Sequence, residues 1–313
     1  MTTESAFIDM LRAIATDPAA RGLRDDVAVL PVGDARLILT SDTMVEGVHY
    51  LPDDPPDSIG WKLAAVNLSD LAAKGARPRG ALLNYALSGD GAWDAAFLSG
   101  LRAALEMHDM PLLGGDTVAM PAGAPRAYSL TVIGEAQAER IPDRSGARVG
   151  DQLYVTGPVG DAGAGLRLRL AGRDTPVALV EAYRRPRPHL AQGQALASLA
   201  TAMMDVSDGL LIDAERMAVA SGLAVVIDAV PLSADLAALD GDGVAARIAA
   251  ATAGDDYVLL FALPAGQVPP VPALAIGRFV DGGGMTLMLD GETVPLPQVR
   301  GYEHRARFGP EPA

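Results

Sequence analysis

The sequence predicts an α/β protein built in two halves, and three observations carry that prediction. Short apolar runs open abruptly into acidic or glycine-rich turns at LILTSD (37–42), LLGGDT (112–117) and MMDVSD (203–208). Segments of helical period alternate with these runs, as in folds where helices cover a sheet. A polar, Arg-rich passage, QAERIPDRSGARVGD (137–151), separates the two halves. It places a domain boundary between residues 137 and 138, giving units 1–137 and 138–313.

Taken in order, residues 4–16 carry Phe7, Ile8, Leu11 and Ile14 at amphipathic helical spacing. Two apolar runs joined by Gly33 and Asp34 then read as a hairpin, with the acidic pair Asp25–Asp26 just ahead of it. Two adjacent acids repel each other, a small cost if both are solvated. Pro55 and Pro56 start a helix through Ser58 to Lys74, which Gly75 and Pro78 stop. This helix is apolar nearly all round, apart from a stripe of Asn67, Asp70 and Lys74. An Asp70–Lys74 surface pair would explain the stripe; so would an Asp70 that faces a site across the core.

A strand at 81–87, a helix from Trp93 to His108 and a strand at 127–136 complete the first half, with Gly114, Gly115 and Asp116 at the end of an apolar run between them. In the second half, TGPVGDAGAG reads as a strand-to-helix joint, because its glycines lack dinucleotide-binding spacing. Helices are expected near 176–184 and 188–201, with His189 in the cap region of the second. A strand ends at Asp205, and Ser207 or Asp208 is expected to cap the helix that starts at Gly209. VVIDAVPL is a strand, Gly254, Asp255 and Asp256 precede another, and two short strand-like runs and GYEHRARF close the chain.

Composition removes several function classes. Half of the 313 residues are hydrophobic, yet there are only five Phe, two Trp and seven Tyr, so the core rests on Ala, Leu and Val. The absence of Cys excludes disulfides, thiolate metal sites and cysteine nucleophiles. A formal charge of −14 argues against nucleic acid as a partner. The N-terminal stretch lacks a signal-peptide pattern and no apolar run reaches membrane-span length, so the expected location is the cytoplasm, away from any membrane. Lysine occurs only at Lys62 and Lys74, neither after a glycine, which excludes a Walker P-loop.

The acids themselves suggest a chemistry. There are 29 Asp against 10 Glu, and Asp26, Asp42, Asp70, Asp116, Asp205 and Asp208 stand at ends of apolar elements or on one polar stripe. So many carboxylates share a cleft only with divalent cations among them, the arrangement an enzyme handling polyphosphate requires. A glycosidase needs only two carboxylates and an aromatic sugar platform that this chain scarcely offers.

TSDTMVEGVHY, AVNLSDLAAKGARP, LLGGDT, RSGARVGD, VTGPVGD, DVSDGL, GDDY and GYEH together resemble the thiamine-monophosphate kinase family, in the same order over nearly the whole chain. That family shares a superfamily with aminoimidazole ribonucleotide synthetase, selenophosphate synthetase and a hydrogenase maturation factor. The resemblance implies a homodimer in which N-terminal sheets from two subunits form a barrel, a C-terminal α/β domain, and ATP held without a P-loop. It implies that Asp26, Thr40, Ser41, Asp42, Asp70, Asp116, Asp205 and Asp208 hold several Mg²⁺ ions, with Asp42, Asp70, Asp116 and Asp205 catalytic. Gly115, Asp116, Arg144 and Ser207 would contact ATP; His49, Asp255 and Tyr302 would contact thiamine monophosphate. The implied reaction is direct transfer of the γ-phosphoryl group of ATP to thiamine monophosphate. The chain departs from the family pattern at Arg24, where a glycine is usual, at Asp255, where a glutamate is usual, and at Arg305, where the family closes on Phe. The alternatives are an ATP-dependent enzyme of the same superfamily with another acceptor, selenophosphate synthetase being disfavoured for want of its Cys, and a nucleotide-binding regulator.

Overall fold

The computed structural model describes residues 4–304, so Arg305 lies outside the described residues. In chain order the elements of the first half are α1 (Glu4–Arg12), β1 (Ala28–Val32), β2 (Ala35–Val45), α2 (Pro56–Ala73), β3 (Ala76–Leu87), α3 (Gly91–Met107), β4 (Leu112–Ala119) and β5 (Ala127–Ala136). The second half adds β6 (Gln152–Val155), α4 (Asp161–Leu170), α5 (Val177–Arg184), α6 (Leu190–Leu196), β7 (Ala202–Asp205), α7 (Leu210–Ser221) and β8 (Ala224–Ile227). It ends with α8 (Ala234–Asp240), α9 (Val244–Ala251), β9 (Leu259–Leu263), β10 (Leu274–Val280), β11 (Gly284–Leu289) and β12 (Glu292–Val294).

The strands form two sheets, five-stranded in the order β1-β2-β5-β3-β4 and seven-stranded in the order β12-β11-β8-β10-β6-β9-β7. The first sheet is open among the described residues, and its edge strand β4 is exposed along its whole length. Among the described residues, no helix is long and apolar enough to cross a membrane.

Helix α2 is the hub. Fifteen of its residues are buried, because it lies between the first sheet, α3 and the second half, where β7 and β9 contribute Met203, Leu259 and Phe261 to the same core. The apolar circumference read from the sequence is therefore a helix surrounded on all sides. Small residues bring α3 close: a Cβ on Gly100 would sit 1.7 Å from the Asp57 carbonyl oxygen. Gly75, at φ +59°, ends α2 in a left-handed turn packed against Gly193 and Ala197.

Several expected boundaries shift. Strand β3 starts at Ala76 rather than 81, since a register irregularity between Pro78 and Gly80 accommodates the proline. The helix expected over 188–201 is only α6, because the chain must turn to place Thr201, whose hydroxyl donates to Asp151, ahead of β7. Among the described residues, three strands rather than two follow residue 270. No side chain caps α7 at its N-cap residue, Gly209; Asp213, one turn in, accepts from the Asp208 and Gly209 amides, correcting the expectation for Ser207 or Asp208.

Candidate active site

Helix α2 also positions the polar groups. Asn67 accepts the Asp42 amide at 2.9 Å and donates to the Leu63 carbonyl, pinning β2 against the helix. Alternation along β2 then turns Thr40 and Asp42 inward and Ser41 and Thr43 outward. Thr40 donates to Asp70 at 2.6 Å, and Ser69 donates to Asp205 at the end of β7, also at 2.6 Å. Carboxylate oxygens of Asp26, Asp70 and Asp205, drawn from three distant parts of the chain, all lie within 4.8 Å of one another.

Lys74 does not pair with Asp70. Its fully buried ammonium lies 2.6 Å from both Asp25 and Asp26, so these two acids are a buried, neutralised pair rather than a solvated one. Arg144, from the passage between the halves, forms an ion pair with Asp26.

Burial drives the cluster's carboxyls toward the protonated form, and their mutual repulsion adds to it. Asp42 is pushed up to about 6 by burial, Asp26 and Asp208. Asp205 is pushed up to about 8, chiefly by burial and then by Asp26, against the Ser69 hydrogen bond. Asp70 is raised by burial, then by Asp42, Asp205 and Asp26. Asp26 alone goes down: burial acts to raise it, but Arg144 and Lys74 together outweigh that effect. Compact oxygen donors crowded at this cost are a donor set suited to a hard divalent cation such as Mg²⁺.

A second constellation adjoins the first. His49 and Tyr302 both face His304, with ring centroids 5.4 and 5.0 Å away. Asp255 takes Lys62 at 2.7 Å on one oxygen and the Tyr257 hydroxyl at 3.0 Å on the other. Lys62 also donates to the His49 carbonyl at 3.0 Å, so His49, Asp255 and Tyr302 are brought together. Tyr257 joins the two constellations, its hydroxyl raised by burial and then by Asp255 and Asp42. The His49 Nδ1 accepts the Val45 amide at 3.0 Å, leaving the proton of the neutral ring on Nε2. Burial lowers this imidazole, as does His304.

Three of the residues read from the sequence stand apart. Asp116 is exposed and pairs in register with Asn84, which pairs with Ser129 and in turn with Thr43, placing Asp116 on the outward face of the sheet. Three strand spacings separate β4 from β2, about 14 Å at ~4.8 Å each. Gly115 lets β4 approach β3, since a Cβ there would meet the Leu83 carbonyl oxygen at 1.7 Å. Ser41 bonds Thr131 on the outward face. The TGPVGD turn is closed by Asp256, which accepts the Gly160 amide at 2.8 and 2.9 Å, consistent with a structural joint. Two surface clefts, of about 580 and 690 Å³, lie along the start of β3 and α6 and between α3 and β4; neither reaches these acids.

Asn67, Ser69, Lys62, Tyr257 and His304 were not read as site residues from the sequence. The only available signal was a polar residue on an otherwise apolar helix, which Asn67, Ser69 and Lys62 share.

Two sheets joined through a helix that carries converging acids define a class. Residues 24–136 match the N-terminal domain and residues 148–289 the C-terminal domain of the AIR synthase-related proteins. Within that class, the chain is 37% identical to the thiamine-monophosphate kinase of Salmonella typhimurium, over 96% of each chain. It is 38% identical to that of Caulobacter vibrioides, over 92% of this chain and 86% of the other. The solved structure of AaThiL complexed with AMPPCP and TMP superposes with a TM-score of 0.86 at 31% identity, over 97% of both chains. The chain belongs to the thiamine-monophosphate kinase family.

Proposed function

We propose that this protein transfers the γ-phosphoryl group of ATP to the phosphate of thiamine monophosphate, giving thiamine diphosphate and ADP. One observation carries the reading: three carboxylates from separate segments meet within 4.8 Å, and a second grouping links His49, Asp255 and Tyr302 through Lys62 and His304. The relatives are kinases of this substrate, and AaThiL was captured with AMPPCP and TMP.

Asp26, Asp70 and Asp205, with Thr40 and Asp42 beside them, form a donor set that fits Mg²⁺, which when bound would offset the charge of the phosphates; Asp208, ion-paired with Arg216, would have to leave that partner to join them. The chain's own residues do the rest. Arg144, held beside Asp26, offers the nucleotide a guanidinium, and Ser207 sits at the turn before α7. Asp255 presents a carboxylate whose two oxygens are fixed by Lys62 and Tyr257, toward the cationic acceptor. The neutral His49 keeps its Nε2 proton for donation. The acceptor phosphate is already an anion at neutral pH, so the residues need to align two phosphates rather than remove a proton.

We further infer a cytoplasmic homodimer, with the domain division between residues 137 and 138. Strand β4 offers unpaired backbone groups over its full length, and Leu112, Leu113 and Val118 on it are about half exposed. A second copy paired there would close the sheets into a barrel. In that assembly Asp116, Gly115 and Ser41 act from the face that a single chain leaves outward.

The test is ADP formation with and without thiamine monophosphate, repeated on Asp42→Asn. The expected result is acceptor-dependent ADP, lost by at least about a hundredfold in the variant. ADP formed equally without acceptor, or with unrelated phosphates, would overturn the assignment.

A further inference from the structure

Lys62 is one of only two lysines in the chain, and it lies on a largely apolar helix, about two turns from Ser69 and Asp70, with a side chain only 3% exposed. A buried ammonium is costly unless each of its protons finds a partner. Here the partners are specific. One proton goes to Asp255 Oδ2 at 2.7 Å, another to the His49 carbonyl at 3.0 Å, and the charge lies 4.5 Å from the centre of the Tyr183 ring. The Tyr183 hydroxyl donates to Asp54 at 2.7 Å, so that ring is itself held. His49 comes from the turn that follows β2 in the first half, and Asp255 from the segment before β9 in the second. Asp255 and Tyr257 both adopt left-handed backbone conformations, φ +63° and +53°, which persist only where surrounding contacts impose them. The amides of both residues are tied to the segment before α7, Asp255 to Ser207 O at 2.7 Å and Tyr257 to Val206 O at 2.8 Å. The carboxylate, by contrast, is aimed by Lys62 and Tyr257.

We infer that Lys62 is the positioning residue of the acceptor pocket: its ammonium fixes the His49 backbone and the Asp255 carboxylate relative to one another across the two halves of the chain. This rests on the acceptor reading above. Lys62 acts through its two partners, and among the described residues its hydrogen bonds and ion pair go to His49 and Asp255 rather than to Asp26, Asp70 or Asp205. Its loss therefore affects the acceptor and spares the nucleotide.

The experiment is steady-state kinetics of the full-length protein with Lys62→Met, which keeps the aliphatic stem and deletes the charge. The KM for thiamine monophosphate rises about tenfold or more, while the KM for ATP stays within about twofold. Lys62→Arg recovers part of the loss, because it restores the charge with a different fork of donors. In Lys62→Met/Asp255→Asn the acceptor KM rises no further than in the worse single variant, as expected for two groups acting as a unit. Should Lys62→Met fail to fold, Lys62→Arg alone still decides, with an acceptor KM raised about threefold at constant ATP KM. An acceptor KM within about twofold of wild type, or equal rises in both KM values, overturns the assignment of Lys62. Wild-type protein that forms no acceptor-dependent ADP removes the functional reading itself, and Lys62 with it.

Discussion

Replacing Asp205 with Asn separates the cost of the acid cluster from its use. Below its ordinary value of 3.8 the Asp205 carboxyl is protonated whether the chain is folded or not, and its ionisation carries no penalty. From 3.8 up to about 8, its value in the folded protein, each pH unit destabilises the metal-free fold by roughly 1.36 kcal/mol. The penalty is thus on the order of 4 kcal/mol at pH 7 and 1–2 kcal/mol at pH 5. Asn is isosteric, carries no charge and still accepts from Ser69. With about 2.1 cal/mol/K per residue of unfolding entropy, a chain of 313 residues shifts by about 1.5 °C per kcal/mol. Asp205→Asn in EDTA should therefore melt about 6 °C above wild type at pH 7 and about 2 °C above it at pH 5. Saturating Mg²⁺ at about 100 times its Kd stabilises the wild type by ~2.7 kcal/mol, or about 4 °C, and this gain disappears in the variant. Differential scanning fluorimetry across pH, with and without Mg²⁺, reads all of this directly. A variant less stable than wild type at both pH values, or one that keeps the full Mg²⁺ shift, would refute the reasoning.

Two further outcomes follow from the same charges. Lys74→Met leaves Asp25 and Asp26 buried with Arg21 and Arg144 only, and should destabilise the protein by about 3–5 kcal/mol, measured by urea unfolding; a loss under about 1 kcal/mol would show that the ammonium is not what holds this pair. Because burial raises Asp42 to about 6 and Asp205 to about 8, cation binding must displace protons, so Mg²⁺ affinity from calorimetry should fall at least about tenfold between pH 8 and pH 6; a flat profile would contradict the assigned ligands.

Much of this fold was legible in the chain itself. The Gly33–Asp34 hairpin, the core helix stopped by Gly75 and the strand ending at Asp205 all follow from local patterns of turn chemistry and apolar period. The sequence marks Asp26, Asp42, Asp70 and Asp205 as candidates because a carboxylate at the end of an apolar element or on its one polar stripe is expensive unless something uses it, and the structure brings Asp26, Asp70 and Asp205 within 4.8 Å of one another. The destinations of cations were not legible. Lys74 stands at helical spacing from Asp70 but turns toward Asp25 and Asp26, which no local pattern brings near it. The role of Lys62 depends on Asp255, 193 residues away. Asp116 shows the converse limit: its motif is conspicuous, yet sheet register alone decides which face it occupies, and the pleat turns it outward.

The central claim is that aspartates from distant segments converge to hold divalent cations around a triphosphate. Anomalous diffraction from crystals grown with Mn²⁺ and a non-hydrolysable ATP analogue tests it most directly. Peaks should fall among Asp26, Asp42, Asp70 and Asp205, next to the analogue's phosphates; a nucleotide bound elsewhere, with no peak between these side chains, would contradict it.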